Sequence, residues 1–141
     1  MSLTLKIVTP DGVTYDSVAE SVSLPTVMGE ITILPHHVPL VTVLKPGEMR
    51  IKASGQEFAL SVSSGVVEIR PNSTVYILAE TAERAEQIDL DRATAAKARA
   101  EELMKSQERL NDEDFARLTA SLEKELARLR VGRKYRDVGK V

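Results

Sequence analysis

The sequence of 141 residues contains no cysteine and no tryptophan. Without cysteine the chain has no disulfide framework, no thiolate metal site, no iron–sulfur ligation and no cysteine nucleophile. Its two histidines, His36 and His37, are adjacent, and adjacent side chains rarely point the same way. A two-histidine metal site is therefore not expected, and we expect no metal.

The chain also lacks long apolar runs and an excess of basic charge. No stretch approaches the roughly 18 consecutive apolar residues of a membrane span, and the start, MSLTLKIVTPDG, resembles neither a signal nor a transit peptide. The formal net charge is −2 and aromatic residues make up 4%. We therefore expect no nucleic-acid partner and no direct membrane insertion.

The common catalytic motifs are missing as well. The sequence has no GxxxxGK[ST] phosphate loop, no GxGxxG after a strand, no HExxH and no GxSxG. Paired carboxylates such as Glu101 and Glu102 are consecutive on a predicted helix and so point in different directions. We expect no catalytic residues and predict that the chain is not an enzyme in its own right.

Proline and glycine divide the chain into two halves. All six prolines lie at or before Pro71, and neither Pro nor Gly occurs between Asn72 and Val131. In the first half, period-2 apolar runs separated by turn signals about every ten residues predict an antiparallel β-sandwich or barrel. Ser54-Gly55, for example, predicts a tight hairpin between two such runs.

The second half predicts an antiparallel pair of helices, each of roughly 18–20 residues. Asp89 is the predicted N-cap of the first helix, and Asn111-Asp112-Glu113-Asp114 precedes the second. Gly132 is predicted to end the second helix as a C′ glycine. A stripe of mostly small side chains on the first helix is predicted to face a stripe of large apolar side chains on the second. The first stripe is Ala93, Ala96, Ala100 and Leu103 or Met104, and the second is Phe115, Leu118, Leu122, Leu126 and Leu129.

Charge is distributed unevenly between the halves. Residues 1–84 carry 6 basic and 9 acidic side chains, whereas residues 85–141 carry 13 and 12. The basic excess gathers at the end of the chain, where it suits an acidic protein surface or phosphates; the alternative is a solvated helix end. Its members are Lys124, Arg128, Arg130, Arg133, Lys134, Arg136 and Lys140.

Four segments carry a resemblance to a known family. They are LKIVTPDGVTYD (5–16), GEITILPHHVPLVTVLKPGEMRI (29–51), SSGVVEIRPNSTVYILAETAERAEQID (63–89) and IDLDRA (88–93). In order and spacing, the chain resembles the epsilon subunit of bacterial-type F-type ATP synthases. His36 and Ser64 depart from the pattern, since they stand where the family often has glycine. The tail GRKYRDVGKV is not a family motif.

The resemblance implies an α+β fold with a sandwich over residues 1–86 and a regulatory hairpin with a basic tail over residues 87–141. It implies a non-catalytic rotor subunit of a proton- or sodium-translocating complex, which couples c-ring rotation to the catalytic head and restrains ATP hydrolysis through its helices. The implied partners are the gamma subunit, the c-subunit ring and, with the hairpin extended, the alpha/beta head. The implied location is peripheral, at the cytoplasmic face of the bacterial membrane.

The resemblance also implies candidate contact residues. Glu30 and His37 match the family's c-ring contact, against the alternative of an exposed turn residue and an ordinary loop side chain. Lys124, Arg128 and Arg130 are candidates for an inhibitory contact with acidic segments of the catalytic head. Surface pairs of this kind contribute only about 0–1 kcal/mol each, so several must act together.

A nucleotide site is the last implication. No cofactor is required, but some bacterial relatives bind ATP as a regulatory ligand through [IL]-D-x-x-R-A and further arginines. Arg can grip two phosphate oxygens at once, whereas Lys supplies only charge. The alternative is that Asp89 only caps a helix and the arginines only solvate it. The candidates are Glu83, Ile88, Asp89, Arg92, Ala93, Arg99, Lys124 and Arg128.

Two other kinds of function stay open. One is a stand-alone β-sandwich binding module with a helical, nucleotide-sensing tail, which a chain without affinity for gamma would favour. The other is a small-ligand sensor or enzyme built on the hairpin, which nucleotide turnover by the isolated chain would favour.

Overall fold

The computed structural model describes residues 1–106 and 111–138 and shows ten strands followed by two helices. The last three residues of the basic tail, Lys140 among them, lie outside the described residues. The strands are β1 Leu3–Thr9, β2 Gly12–Ala19, β3 Ser21–Thr26, β4 Gly29–Ile33, β5 Leu40–Leu44, β6 Gly47–Ala53, β7 Gln56–Val62, β8 Gly65–Arg70, β9 Thr74–Ala79 and β10 Ala82–Arg84. A short 3-10 turn, Ala85–Gln87, leads to α1 Leu90–Ser106 and then α2 Asp112–Val138.

The strands form one hydrogen-bonded path that folds over an apolar core, with β10 and β2 at its two ends. Its order is β10-β7-β6-β3-β5-β8-β9-β1-β2, and β4 pairs with β3 beside this path. The predicted sandwich is confirmed, with one difference: β1 pairs with β9 in parallel, Leu5 opposite Val75. Parallel neighbours cannot be joined by a short turn, and here 64 residues separate the two ends, Thr9 and Thr74.

The core of the sandwich is complete without the helices. Its 17 buried side chains all lie between Leu3 and Ala79, and Ala82 packs against their edge. They come from the alternating positions that the period-2 pattern marks, such as Leu3, Leu5 and Ile7 on β1. The sandwich is therefore an independent packing unit.

Turn residues set the strand register as predicted at the β6–β7 hairpin. Ala53 pairs with Gln56, and the two residues between them, Ser54 and Gly55, have φ of 53° and 74°. Positive φ at both central positions defines the turn type that matches the twist of paired strands. The period-2 pattern carries little signal for β2 and β10, because β2 buries little besides Ala19 and β10 has only three residues.

One sheet face exposes apolar side chains in direct register. Val43, Val66, Leu78, Val8 and Val13 stand opposite one another on β5, β8, β9, β1 and β2. Four of them are 42–57% exposed, and Val8 is half-buried. We call these five residues the apolar row; contiguous exposed apolar surface of this kind marks interaction sites.

The predicted N-caps of both helices are correct. The Asp89 carboxylate accepts a hydrogen bond from the Arg92 backbone N–H at 3.1 Å. The Asn111 side-chain oxygen accepts one from the Asp114 backbone N–H at 2.7 Å. These side-chain oxygens satisfy backbone donors that lack a helical partner. Among the described residues, neither helix has the length and apolarity needed to cross a membrane.

The predicted end of the second helix is wrong. α1 has 17 residues, but α2 has 27 and passes through Gly132 to Val138. Gly132 serves close approach instead: a Cβ there would lie 2.7 Å from Leu90 Cδ2 and 3.1 Å from Ile88 Cγ2. The missing side chain lets α2 lie directly on the start of α1.

The predicted leucine stripe is buried only in part. Phe115 is 51% and Leu126 37% exposed, whereas Ala127 and Leu129 are buried. The reason is that α2 packs on two neighbours at once, α1 on one side and β6 and β7 on the other. Its C-terminal half therefore buries residues outside any single stripe, including Glu125 and Val131.

Candidate functional site

A polar cavity of about 550 Å³ lies between the sandwich and the hairpin. Ligand sites of small molecules commonly have volumes of about 300–1,000 Å³. The start of α1 and the middle of α2 form one wall, while the β1–β2 turn and the β9–β10 region form the other. The cavity therefore exists only while the hairpin lies on the sandwich.

Six of the eight residues predicted for nucleotide binding line this cavity. They are Glu83, Asp89, Arg92, Arg99, Lys124 and Arg128. The other two lie behind its wall: Ile88 is 2% exposed and packs with Ala59, Ala85 and Val131, and Ala93 is fully buried. Ile88 therefore belongs to the apolar contact between the hairpin and the sandwich, and Ala93 is a buried residue of α1.

Arg128 is the cation of the cavity that forms ion pairs with two carboxylates. Its Nε donates to Glu83 Oε1 at 2.7 Å, and its Nη1 donates to Glu125 Oε2 at 2.8 Å. Burial alone would lower the pKa of Arg128, but the hydrogen bonds to Glu83 and Glu125 raise it above its usual value. Because Glu83 lies on β10, the pair joins α2 to the sandwich.

The other three cations have no carboxylate partner among the described residues. Arg92, Arg99 and Lys124 line the cavity without an ion pair, and both arginines are exposed. With Arg128 they face three acidic side chains of the lining, Asp11, Glu83 and Asp89. An anion with several phosphate groups could accept hydrogen bonds from these three cations without first breaking an ion pair.

Sequence reasoning missed the sandwich side of the cavity. Thr9, Asp11, Thr81 and Gln87 also line it. The Thr9 hydroxyl accepts from the Asp11 backbone N–H at 3.3 Å, which shapes the β1–β2 turn beside the hairpin. Since Thr9 lies about 80 residues before the α1 start, no local pattern could have joined the two.

The two candidate c-ring residues lie at different ends of β4. Glu30 pairs in register with Pro25 beside the β3–β4 turn, and its carboxylate accepts from Arg50 Nη2 at 2.5 Å. His37 lies in the loop beyond β4, where its Nδ1 is 2.7 Å from the Val38 carbonyl. The described contacts do not bring Glu30 and His37 together.

The neighbouring departure from the family pattern has a backbone explanation. His36 has φ of 67°, a conformation that favours glycine. Its N–H donates to the Ser73 hydroxyl at 2.9 Å, which ties the loop to the β8–β9 turn.

The three candidate inhibitory residues do not form one face. Lys124 and Arg128, four residues apart, share the cavity side of α2. Arg130 is exposed on another side, beside Lys97 and Arg133. With the hairpin docked, Arg128 is therefore already paired while Arg130 lies outside the cavity.

A second group of contacts anchors the end of α2 on β6. Tyr135 donates its hydroxyl hydrogen to Glu48 Oε1, and Lys134 Nζ lies 3.0 Å from Glu48 Oε2. Burial raises the pKa of Glu48, but the hydrogen bonds from Tyr135 and Lys134 outweigh it and hold that pKa below its usual value. We call Glu48, Lys134 and Tyr135 the α2 anchor. In the part of the chain that the structure describes, no group of three or more potential ligands could hold a metal ion.

Family comparisons cover nearly the whole chain. Residues 2–85 match the family described as ATP synthase, Delta/Epsilon chain, beta-sandwich domain, and residues 86–132 match its long alpha-helix domain. A protein of Bacillus licheniformis named ATP synthase epsilon chain is 47% identical over 132 residues, covering 94% of this chain and 98% of that protein. One of the same name from Herpetosiphon aurantiacus is 41% identical, covering 97% and 98%.

Solved structures share the fold at low sequence identity. A chain in the Euglena gracilis mitochondrial ATP synthase OSCP/F1/c-ring structure matches with a TM-score of 0.73 and 21% identity, over 89% of this chain and 78% of that one. A chain in the Tetrahymena thermophila mitochondrial ATP synthase central stalk/c-ring structure matches with a TM-score of 0.68 and 12% identity, over 94% and 97%.

The fold defines a protein with a self-contained β-sandwich and a C-terminal helical hairpin docked on it. The chain belongs to the ATP synthase delta/epsilon family, as the matches over both of its parts show.

The α2 anchor predicts a loss of stability at high pH. Burial, then the hydrogen bond to Glu48, raises the pKa of Tyr135 to about 12 from 10.0. The folded state therefore holds the phenol proton more tightly than the unfolded chain does. The resulting stabilisation is complete below pH 10 and disappears as the pH rises towards 12.

Tyrosinate absorbance checks this in a chain carrying Tyr15→Phe and Tyr76→Phe, where Tyr135 is the only tyrosine left. We expect titration near pH 12, and a lower midpoint after Glu48→Gln. A midpoint near 10 with the hairpin docked contradicts the anchor.

Proposed function

We propose that this chain is a non-catalytic rotor subunit of a proton- or sodium-translocating F-type ATP synthase. It couples rotation of the c-subunit ring to the catalytic head and restrains ATP hydrolysis through its C-terminal helices. The observation that carries the proposal is the family match over residues 2–132, both parts included. As part of such a complex the chain sits peripherally at the cytoplasmic face of a bacterial membrane.

The apolar row supports a permanent partner for the sandwich. The hairpin packs on β6 and β7 and leaves the row, on β5, β8, β9, β1 and β2, uncovered. Monomeric proteins rarely leave contiguous apolar surface exposed without using it. We assign the row to the gamma subunit, which the family resemblance implies as the partner within the central stalk.

The β3–β4 turn supports a second contact, with the c ring. Val27 and Met28 at its tip are 57% and 67% exposed, and Glu30 follows them. Exposed apolar side chains beside a carboxylate suit the polar loop of a membrane-embedded ring subunit. His37 belongs to the same proposed surface, which then extends along the whole of β4, a length of about 13 Å.

The cavity supports regulation by ATP bound without hydrolysis. A ligand there would touch both the sandwich and the hairpin, so it would hold the hairpin down. At about 100 times its dissociation constant, a ligand favours the bound state by roughly 2.7 kcal/mol. The catalytic head and the cavity would compete for Lys124 and Arg128, because neither residue can serve both.

Two alternatives lead to different results. A stand-alone binding module with a nucleotide-sensing tail would remain free of partners, whereas a rotor subunit co-purifies with gamma. An enzyme built on the hairpin would turn over nucleotide as an isolated chain. The exposed apolar row favours the rotor subunit, since it provides a surface that a partner-free module would not need.

The first prediction concerns orientation. A single cysteine replacing Glu30 should form a cross-link with a cysteine in the polar loop of the c subunit within the assembled complex. A cysteine replacing Leu78 in the apolar row serves as the control and should not. If the Leu78 position cross-links to the ring and the Glu30 position does not, the assigned orientation is wrong.

The second prediction concerns hydrolysis. A chain ending at Ile88 keeps all 17 core residues of the sandwich and should fold and assemble. Its complex should hydrolyse ATP faster than the complex with the full chain, because the basic residues of α2 are absent. The measurement compares ATPase rates of the two purified complexes at equal occupancy. Equal rates would remove the inhibitory role.

The third prediction concerns the nucleotide. Titration calorimetry of the full chain with ATP should show binding, and Arg92→Ala and Arg99→Ala should each weaken it by about 10- to 100-fold, the loss of a charged hydrogen bond. Lys124→Arg should strengthen it, because Arg adds the fork that Lys lacks. Arg130→Ala, outside the cavity, is the control. No binding at millimolar ATP, or binding insensitive to both alanine variants, rejects the site.

A further inference from the structure

We propose that Arg50 links the α2 anchor to the β3–β4 turn, so that the Glu30 carboxylate loses its partner when the hairpin leaves the sandwich. The link joins two surfaces that lie on different parts of the molecule: the seat of the hairpin and the turn assigned to the c ring. The significance of Glu30 rests on the proposed function, but the link itself concerns only contacts within this chain.

Arg50 is shared by three carboxylates. Its Nη2 lies 2.5 Å from Glu30 Oε1, its Nη1 lies 3.8 Å from Glu48 Oε1, and its Nε lies 3.9 Å from Glu57 Oε1. Only the Glu30 distance is that of a hydrogen bond. While the hairpin is docked, Arg50 therefore forms a hydrogen-bonded ion pair with Glu30 and only a longer-range ion pair with Glu48.

Glu48 is the carboxylate whose partners change with the hairpin. Its close donors, Tyr135 and Lys134, both belong to α2. Glu48 and Arg50 lie on β6 and Glu30 lies on β4, so these three stay on the sandwich whatever the hairpin does. Departure of α2 thus removes two hydrogen-bond donors from Glu48. It removes no carboxylate partner from Arg50.

The two states therefore differ in which carboxylate attracts Arg50 most. With α2 docked, the positive charge of Lys134 satisfies Glu48 and repels the guanidinium. With α2 gone, Glu48 loses both of its α2 donors, and Arg50, whose Nη1 lies 3.8 Å away, is the described cation that remains within 4 Å of it. Arg50 then moves towards Glu48, and Glu30 becomes available to a donor on a partner.

The coupling acts in both directions. A partner group that donates to Glu30 releases Arg50 to Glu48 and weakens the α2 anchor by the same factor, since linkage between two sites is reciprocal. The partner chemistry is that of a cationic or N–H donor reaching the β3–β4 turn.

A single thiol can report how often the hairpin leaves. Ala59 is 3% exposed on β7, beneath Ile88 and Val131, and the chain has no cysteine of its own. In an Ala59→Cys chain, the rate of labelling by a small thiol reagent follows the fraction of undocked hairpin. The denatured chain gives the upper limit of that rate.

In this background Glu30→Gln should raise the labelling rate about two- to fivefold, because it frees Arg50 to compete for Glu48. Adding Glu48→Gln removes the charge at the centre of the link, so Glu30→Gln should then have no further effect. Glu68→Gln, an exposed carboxylate paired with Arg70 at 2.8 Å, is the matched control and should leave the rate unchanged.

Two results of the labelling experiment would overturn the proposal. An unchanged rate in the Glu30→Gln chain overturns the proposal, and so does an equal increase with and without Glu48→Gln, since independent effects simply add. Neither result involves a c ring, so failure of the link and failure of the proposed rotor function are distinguishable.

Discussion

The seating of α2 on the sandwich is the interaction on which both the cavity and the anchor depend. At its centre a small apolar cluster, Ala59, Ala85, Ile88 and Val131, packs beside a glycine. Because a side chain at Gly132 would meet Leu90 and Ile88, the missing Cβ fixes how closely α2 approaches α1 and the sheet. The cavity wall and the Glu48 contacts both follow from that distance.

The two halves are stabilised by different means. The sandwich is held by 17 buried apolar side chains, whereas the hairpin is held by a cluster of four and by ion pairs at its edges. Apolar burial contributes about 25 cal/mol per Å², and partly exposed ion pairs contribute little each. The contact between the hairpin and the sandwich therefore contains less apolar burial than the sandwich core does.

Local patterns predicted the elements better than their meeting points. Period 2 identified the core strands, and Asp89 and Asn111 identified the helix starts, because each signal lies within a few residues. The extent of α2 was not predictable, since a glycine often ends a helix, whereas Gly132 lies within α2 and faces the side chains of Leu90 and Ile88. Likewise, spacing grouped Asp89, Arg92 and Arg99, but Thr9 and Asp11 join them only through the parallel β1–β9 pairing and the folded-down hairpin.

The same limit explains the anchor. Glu48 and Tyr135 are separated by 87 positions, and each has an ordinary alternative as a solvated surface residue. Only the three-dimensional structure shows that one carboxylate receives two donors from the end of α2.

The backbone of His36 has a consequence for how the 34–39 loop meets a partner. A residue with a side chain occupies a narrower left-handed well than glycine does, so its unbound conformations are fewer. The hydrogen bond to Ser73 restricts them further. A loop already confined in this way loses less conformational entropy when another surface covers it. A histidine in this conformation thus costs some folding stability, and it leaves the loop with fewer backbone conformations.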